Sequence, residues 1–380
     1  MPNIVERYNQ AERAGRATVS NRAIEAFSLE VFETLGYPCR IDDESELWRY
    51  HDVMQEGRFE QNLRLIGSYS EHDFDLVTKT AKQILSFSER ELTIRNSGKH
   101  ALTRSLYQYQ LIMKERPHDG PLRILEIGPG SGYLGMLLAN DGHQYFAMDA
   151  AQAFYLYQKK LWSDIYGSDY FDYSESTSRP DNAKVTHIPW WRFANLSTPI
   201  PDVDIVTCNH AFAEMHPTAV KTIFARLYAT WGDDDKKLVL AEGLGYDYFR
   251  RGQTMYLDIR HAGFSGDNPI NEHRIWRPNK SKANSETLFL NKHLTLRDRT
   301  KNRFTKQKRN LIKGTLRYPI GQRIAKLMKR GPLYALESTA KINILNDAQT
   351  RPMHDFFENL VADERTPDEI FLKPRTGDIK

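Results

Sequence analysis

The sequence of 380 residues is poor in cysteine, with only Cys39 and Cys208, and it has no C-x-x-C pair. Two isolated cysteines exclude a disulfide framework and a cysteine-based zinc site. The chain also lacks an apolar run long enough to cross a membrane, and residues 1–16 lack the apolar centre of a signal peptide. These absences favour a reducing compartment, so we expect a cytoplasmic protein.

The chain also has little excess of positive over negative charge, since its formal net charge is only +4. Such a value does not by itself indicate a nucleic-acid partner. The charges are unevenly distributed, however, because residues 292–330 are strongly basic and contain the single acid Asp298. This segment is either a solvated face or a contact for an anionic glycan, RNA or membrane surface. Ile320, Ile324 and Leu327 share one helical face, which favours a peripheral membrane contact, whereas the few aromatics disfavour nucleic acid.

The most informative stretch is residues 124–135, an apolar strand followed by a glycine-dense turn and the apolar start of a helix. Strand, glycine turn and helix in this order form a nucleotide-type pocket at the carboxyl end of a parallel strand. Gly130, Gly132 and Gly135 match the dinucleotide spacing G-x-G-x-x-G, which alone is a weak signal. The stretch therefore predicts a cofactor pocket, with a tight turn that binds nothing as the alternative.

The negative charge of Glu126 distinguishes between the two cofactors that could bind in such a pocket. Together with Gly128, Gly130 and Gly132 it matches E-x-G-x-G-x-G, the first motif of class I S-adenosylmethionine-dependent methyltransferases. A carboxylate here would repel a dinucleotide pyrophosphate, which binds to the N–H groups of a helix N-terminus. S-adenosylmethionine carries a sulfonium and an ammonium and no phosphate. The charge therefore favours S-adenosylmethionine, and a NAD(P)-dependent oxidoreductase is the alternative.

Strand and helix patterns alternate from residue 121 onward, which predicts an α/β Rossmann-like fold with a parallel sheet flanked by helices. We predict strands at 124–127, 145–148, 184–188, 203–208 and 238–241. The chain is thus divided into a helical N-terminal region (1–119), an S-adenosylmethionine-binding Rossmann-like domain (120–265) and a basic C-terminal extension (266–380).

Helical patterns dominate the regions on both sides of this alternation. Apolar residues recur at helical spacing over 73–87 and 101–113, and one more helix is predicted over 347–362. Residues 1–20 are polar, and we expect them to fray. No further strand is predicted after residue 266, where the alternation stops.

Asp149 ends the second predicted strand. A carboxylate at this place can accept hydrogen bonds from both hydroxyls of a ribose. The same side chain would also suit the N-cap of the helix that follows. The two roles are compatible, and we predict that Asp149 binds the ribose of the cofactor.

A second informative stretch, residues 203–216, has an apolar strand that ends at Asn209 and continues into polar residues. Ligands bind at such carboxyl ends in parallel sheets. The stretch resembles the fourth-strand motif of class I methyltransferases. Its portion Asn209-x-x-Phe212-x-Glu214-Met215 resembles, more narrowly, the bacterial sugar O-methyltransferases.

The resemblance to class I methyltransferases covers about residues 120–265. It implies a donor site formed by Glu126, Gly128, Gly130, Gly132, Asp149 and Asn209. One position departs from the family pattern, because Arg192 stands where the family usually has an acid that meets the adenine amino group. Trp190 and Trp191 lie beside it. We therefore predict that aromatic stacking on Trp191 and backbone groups hold the adenine, with core packing of the tryptophans as the alternative.

Methyl transfer from a sulfonium to a hydroxyl requires aligned reactants and a general base that removes the hydroxyl proton. His210 is the first candidate base, because it follows a strand end and titrates in a usable range. Glu214 and His216 are alternative bases, and a structural role is the alternative for a loop histidine. The sequence has no tight cluster of Asp and Asn, so we predict no metal.

These features together predict an S-adenosylmethionine-dependent methyltransferase that acts on a hydroxyl of a sugar or glycan precursor. The expected partner is therefore a small-molecule or glycan acceptor. One alternative is methylation of RNA or another anionic acceptor through residues 292–330. Others are a nicotinamide oxidoreductase using Gly130, Gly132 and Gly135, and a glycan- or membrane-binding protein that holds the donor without turnover.

Overall fold

The structure is a computed structural model that describes residues 3–27, 39–53, 55, 57–66, 68–242, 253–266, 274–279 and 347–360. The chain divides into two compact units, one comprising Met1–Ala283 with Asn343–Lys380 and the other comprising Asn284–Ile342. The basic segment 292–330 falls within the second unit and lies outside the described residues. Its predicted contacts therefore remain predictions.

An eight-stranded sheet forms the centre of the first unit. Its strands are β1 Arg123–Ile127, β2 Gln144–Asp149, β3 Tyr170–Asp172, β4 Val185–Pro189, β5 Ile205–Asn209, β6 Leu238–Glu242, β7 Phe264–Gly266 and β8 Arg274–Pro278. They lie in the order β3-β4-β2-β1-β5-β6-β8-β7. Strands β1 to β6 are parallel, whereas β8 runs antiparallel between β6 and β7. The predicted Rossmann-like α/β fold is confirmed.

The order of the chain in the sheet reverses beside β1, because β2 pairs with one edge of β1 and β5 with the other. Ligands of open parallel sheets bind at the carboxyl ends of the strands beside such a switch point. The apolar run of β1 fits this central place, since Ile124, Leu125 and Ile127 have no exposed surface. The glycine turn after β1 therefore lies at the place where a ligand is expected.

The five predicted strands coincide with β1, β2, β4, β5 and β6, with ends that differ by at most two residues. Three strands, β3, β7 and β8, are not among these five, and β7 pairs with β8 alone. Strand β3 has only three residues and pairs with β4 alone. Strand β8 contradicts the prediction that no strand follows residue 266. It pairs with β6, and this pairing buries Ile275 and Trp276. The charged residues on either side of these two hide the apolar pattern of a strand in the sequence.

Helices flank the sheet and build the N-terminal region. They are α1 Ile4–Arg16, α2 Asn21–Ala26, α3 Phe59–Leu65, α4 Glu71–Glu91, α5 Lys99–Glu115, α6 Tyr133–Asn140, α7 Gln152–Tyr166, α8 Trp190–Ala194, α9 Ala211–Glu214, α10 Pro217–Trp231, α11 Gln253–His261 and α12 Asp347–Leu360. Short 3₁₀ helices span Glu44–Tyr50 and Gly167–Asp169. The helices predicted over 73–87, 101–113 and 347–362 are confirmed as α4, α5 and α12.

The N-terminal residues form helix α1, so the prediction that residues 1–20 fray is wrong. Asn3 and Glu6 form a capping box, in which each side chain accepts the backbone N–H of the other residue. Val5 and Tyr8 are both buried, at 3% exposure. A narrow apolar stripe and a good cap thus fix a helix whose composition is mostly polar.

Helix α12, from the predicted extension 266–380, packs on the N-terminal helices. Met353 and Phe357 are buried, and the Phe357 ring lies 5.5 Å from the ring of Phe59 in α3. This part of the extension belongs to the same compact unit as residues 1–283. Among the helices described, none combines the length and the apolar character needed to cross a membrane.

Candidate functional site

The glycine turn after β1 has a left-handed backbone. Gly128, Gly130 and Gly132 have φ of 70°, 58° and 79°, values that residues with side chains rarely adopt. A Cβ on Gly128 would lie 2.5 Å from the Cβ of Ala211, so this turn touches the loop after β5. A Cβ on Gly130 would meet no atom within 4 Å. The turn therefore presents bare backbone to open space at the carboxyl end of β1.

Glu126 in β1 is a buried carboxylate that is held by two neutral groups. Tyr145 Oη donates to one carboxylate oxygen at 2.6 Å, and Asn209 Nδ2 donates to the other at 3.0 Å. Burial raises the pKa of Glu126 to about 7, and the two hydrogen bonds oppose this shift only in part. Gly135 makes room for Tyr145, since a Cβ there would lie 2.2 Å from the ring. The third glycine of the dinucleotide spacing is thus explained by packing on β2.

Asp149, at the end of β2, is buried beside the glycine turn. Its Oδ1 accepts the Ala151 N–H at 2.8 Å, and its Oδ2 accepts Gln158 Nε2 at 2.9 Å. The same Gln158 nitrogen donates to the Gly130 carbonyl at 2.7 Å, so one amide joins the acid to the turn. Burial raises the pKa of Asp149 to about 6. The carboxylate thus bonds to the backbone at the start of α7 and stays next to the turn.

Glu214 in α9 is a third acid at this site. Burial, followed by the charge of Asp149, raises the pKa of Glu214 to about 7. The charge of Asp149 also raises the pKa of Glu126. Among the described residues, no lysine or arginine pairs with these three acids or lowers their pKa. Glu126, Asp149 and Glu214 therefore form an electronegative group at the carboxyl ends of β1, β2 and β5, which we call the carboxylate cluster.

His210 lies immediately after β5 and has φ of 66°, which is uncommon for a residue with a side chain. Its Nε2 lies 3.4 Å from an oxygen of Glu242 at the end of β6, and the imidazole side chain is 46% exposed. Glu242, itself 1% exposed, also pairs with Arg104 of α5. Because Glu242 lies opposite Asn209 in the β5–β6 register, this charged group adjoins the carboxylate cluster.

His216 forms the N-cap of α10. Its Nδ1 accepts the Thr218 N–H at 3.1 Å, and Pro217 occupies the first turn of the helix. One ring nitrogen of His216 is therefore engaged with the backbone. Of the three predicted bases, the structure brings His210 to a buried carboxylate, places Glu214 in the carboxylate cluster and gives His216 a capping contact.

The two tryptophans after β4 are buried next to helix α1. Trp190 is 3% exposed and Trp191 is 7% exposed. A Cβ on Gly15 of α1 would lie 2.0 Å from the Trp191 ring, so the helix rests directly on this side chain. The Arg192 guanidinium lies 3.9 Å from the centre of the Tyr173 ring. These contacts are packing contacts, and stacking of an adenine on Trp191 stays a prediction.

The partners that hold the acids were not identified from the sequence. Arg104 is 138 residues from Glu242 and Tyr145 is 19 from Glu126, whereas Gln158 is only nine from Asp149. Helix α5 buries several polar residues besides Arg104, so its sequence pattern does not distinguish this arginine. In the part of the chain that the structure describes, no group of three or more His, Cys, Asp or Glu side chains could hold a metal ion.

No protein-family model matches the chain, and no curated protein matches it. Among solved structures, it is similar to magnesium protoporphyrin IX methyltransferase from Synechocystis PCC 6803, with 11% identity, a TM-score of 0.29, and coverage of 62% of this chain and 98% of that one. It is also similar to a methyltransferase from Podospora anserina, with 9% identity, a TM-score of 0.31, and coverage of 56% and 89%.

A third similar structure is the cyclase SpnF, with 16% identity and a TM-score of 0.30. That match covers 42% of this chain, and this chain spans 58% of the length of the cyclase. Similarities at TM-scores this low carry no information about activity. The function must therefore be inferred from the charges and contacts of the site itself.

Proposed function

We propose that the protein is an S-adenosylmethionine-dependent methyltransferase. The observation that carries this proposal is the carboxylate cluster of Glu126, Asp149 and Glu214, in which burial raises the pKa of all three acids and the charge of Asp149 further raises the pKa of Glu126 and of Glu214. A cationic ligand would relieve this repulsion, whereas a pyrophosphate would increase it. S-adenosylmethionine carries a sulfonium and an ammonium, so its charge fits the site and that of NAD(P) does not.

The residues around the glycine turn fit this donor. Asp149 would accept the ribose hydroxyls while keeping its bonds to Ala151 and Gln158, because a carboxylate has about four acceptor positions. The bare backbone at Gly130 would let the donor approach closely. Glu126 would face the cationic methionyl end and set the charge of the site.

His210 is the proposed general base of the reaction. S-adenosylmethionine, when bound, supplies an electrophilic methyl group. His210 would remove the proton of an acceptor hydroxyl, a step that contributes roughly 10²–10⁴-fold in enzymes. Glu242 would orient the imidazole and stabilise its protonated form, and Arg104 would fix Glu242. Glu214 is the alternative base, because its pKa of about 7 lies close to neutral pH.

The acceptor that we propose is a hydroxyl of a sugar or glycan precursor. This proposal rests on the motif over residues 209–215, in which Asn209 contacts Glu126 and Glu214 belongs to the carboxylate cluster. Methylation of RNA or another anionic acceptor through the basic segment 292–330 is the alternative. Contact of the same segment with an anionic membrane surface is compatible with either acceptor.

Titration calorimetry with S-adenosylmethionine, S-adenosylhomocysteine, NAD and NADP tests the proposed cofactor. We expect the first two ligands to bind and the last two to give no response. Tight binding of NADP without a response to S-adenosylhomocysteine would refute the proposal. Transfer of a labelled methyl group to sugar nucleotides and glycan precursors, compared with transfer to RNA, then tests the acceptor.

A further inference from the structure

Helix α1 lies outside the predicted cofactor domain and yet contacts two of its strand ends. Gln152 Nε2, in α7, donates to Asn9 Oδ1 of α1 at 2.8 Å. Gly15 of α1 rests on Trp191, as the absence of room for a Cβ shows. Helix α7 follows β2 and Trp191 follows β4, and these strands are neighbours in the sheet. Helix α1 therefore bridges the carboxyl ends of β2 and β4, next to the carboxylate cluster.

Tyr8 is a buried residue of α1 that packs in this region. Its side chain is 3% exposed, and its ring lies 4.9 Å from the Tyr155 ring and 5.2 Å from the Trp191 ring. Its hydroxyl is buried and has no hydrogen-bond partner among the described residues. Burial, followed by the charges of Glu12 and Asp149, raises the pKa of Tyr8, so the hydroxyl is neutral and can donate. A buried hydroxyl without a partner is rare in native proteins, so the Tyr8 hydroxyl has hydrogen-bonding capacity that a bound ligand could use.

We propose that the Tyr8 hydroxyl binds the adenosine moiety of the donor, an inference that rests on the proposed function. Asp149 marks the ribose at the end of β2, and the base must then lie beside the ribose, near the end of β4. The Tyr8 ring contacts Trp191, the charge of Asp149 acts on the Tyr8 hydroxyl, and that hydroxyl offers one donor and one acceptor, as the heteroatoms of adenosine require. Arg192, which stands where an acid was expected to meet adenine, lies instead over Tyr173. Helix α1 thus supplies a polar group to this side of the pocket.

The test is calorimetry with S-adenosylhomocysteine and, separately, with adenosine, on the wild-type protein and on Tyr8→Phe. Tyr166→Phe is the matched control, because its hydroxyl donates to the Met136 carbonyl at 3.3 Å, on a part of α7 remote from Asp149. We expect Tyr8→Phe to lower the affinity for both ligands by the same factor, roughly five- to tenfold, which is typical of one lost hydrogen bond. Tyr166→Phe should leave both affinities unchanged.

Thermal unfolding of the ligand-free proteins separates a ligand contact from a structural one. Removal of a hydroxyl without a partner should leave the Tm of Tyr8→Phe unchanged or raise it, whereas a structural hydroxyl would lower the Tm when it is removed. Unchanged affinity of Tyr8→Phe for S-adenosylhomocysteine would overturn the inference and leave the proposed function intact. A lower affinity of Tyr8→Phe for S-adenosylhomocysteine with an unchanged affinity for adenosine would overturn the assignment to adenosine. Failure of the wild-type protein to bind S-adenosylhomocysteine would overturn both proposals.

Discussion

Two buried glutamates, Glu126 and Glu242, lie at the same edge of the sheet but differ in the charge that surrounds them. Glu126, in β1, accepts hydrogen bonds from a neutral hydroxyl and a neutral amide, and burial raises its pKa to about 7. Glu242, at the end of β6, is paired with Arg104 and lies 3.4 Å from His210. Only strand β5 separates the two strands. The fold therefore neutralises one carboxylate internally and leaves the other without a cation among the described residues.

This difference divides the carboxyl edge of the sheet into two electrostatically distinct halves, to which we propose different functions. A buried carboxylate without a cationic partner destabilises the ligand-free protein and favours the binding of a cationic ligand. This property fits the proposed donor half around Glu126. A carboxylate that already pairs with an arginine is suited to holding a side chain in place, which fits the proposed base His210. Substitutions in the first half should therefore change donor affinity, and substitutions in the second half should change turnover or stability.

The largest expected effect in the donor half is that of Gly130→Val. The substitution places a side chain in the open space where the donor is proposed to lie, on a backbone with φ of 58°. We expect donor binding to fall by roughly a hundredfold or more, since a blocked contact region loses several interactions at once. Gly142→Val is the control, because Gly142 has φ of 88° and a Cβ there also meets open space. If both variants lose S-adenosylhomocysteine binding equally, backbone strain and not the pocket explains the loss.

In the acceptor half, His210→Ala should reduce turnover by roughly a hundredfold, the range expected for a lost general base. Donor affinity should remain near the wild-type value, because His210 is paired with Glu242 and not with the carboxylate cluster. Single-turnover methyl transfer and calorimetry on the same variant measure the two quantities. Glu214→Gln is the comparison variant. A larger loss of turnover for Glu214→Gln than for His210→Ala would assign the base to Glu214.

Asp149→Ala should weaken donor binding by about 1–3 kcal/mol, the contribution expected of hydrogen bonds to a charged group. Calorimetry with S-adenosylhomocysteine measures this loss. Asp149→Asn separates the ribose role from the contact with the Ala151 N–H, because asparagine keeps one acceptor oxygen for that N–H and loses the charge and the oxygen that accepts Gln158 Nε2. We expect Asp149→Asn to keep the stability of the protein and to lose affinity. Wild-type affinity in Asp149→Asn would limit the role of Asp149 to its hydrogen bond with Ala151, which is the N-cap of α7 in place of the predicted Asp149.

Donor affinity should rise with pH. A carboxylate with a pKa of about 7, as for Glu126, changes from about one-tenth to about nine-tenths ionised between about pH 6 and about pH 8. If the ionised form is the one that binds the cationic donor, affinity should rise roughly tenfold over this range. Calorimetry of S-adenosylhomocysteine, whose ammonium stays protonated there, and of S-adenosylmethionine measures the rise. A flat profile would show that Glu126 does not titrate in the binding range.

The stability of the ligand-free protein should change in the opposite direction. The pKa of Glu126 is raised from an ordinary value of 4.5 to about 7 in the folded protein. Between these two values the folded state binds more protons than the unfolded state, so stability falls as pH rises through this range. Denaturant unfolding at several pH values should show this fall, and Glu126→Gln should reduce it. A stability that rises with pH in the same window contradicts the assigned shift.

The sequence predicts most of the sheet and the glycine turn because both depend on local pattern. The runs that become β1, β2, β4, β5 and β6 are continuous and apolar, as expected of strands buried on both faces. The sequence predicts a positive-φ turn at the glycines and a charge at Glu126 because both properties belong to single residues that can be read without knowing their contacts. The fold class therefore follows from short stretches of the chain, and the cofactor pocket predicted from the same stretches stays a prediction.

The features that were missed depend on contacts between distant parts of the chain. Helix α1 was expected to fray because its stabilising contacts, such as Gln152 to Asn9, come from another element. Strand β8 contains two arginines and becomes a strand only by pairing with β6 and β7. The opposite surroundings of Glu126 and Glu242 depend on which side chains of other elements meet each carboxylate, and no local pattern contains that information.

The most direct test of the two-half arrangement is a parallel measurement of Glu126→Gln and Glu242→Gln, each by denaturant unfolding and by calorimetry with S-adenosylmethionine. Glu126→Gln should leave stability unchanged or raised and should lose donor affinity, because it removes an uncompensated charge. Glu242→Gln should lower the free energy of unfolding by about 3 kcal/mol, because Arg104 then remains buried without its carboxylate partner, and donor affinity should be retained. The same response of both variants in stability and in affinity would contradict the division of the site into a donor half and an acceptor half.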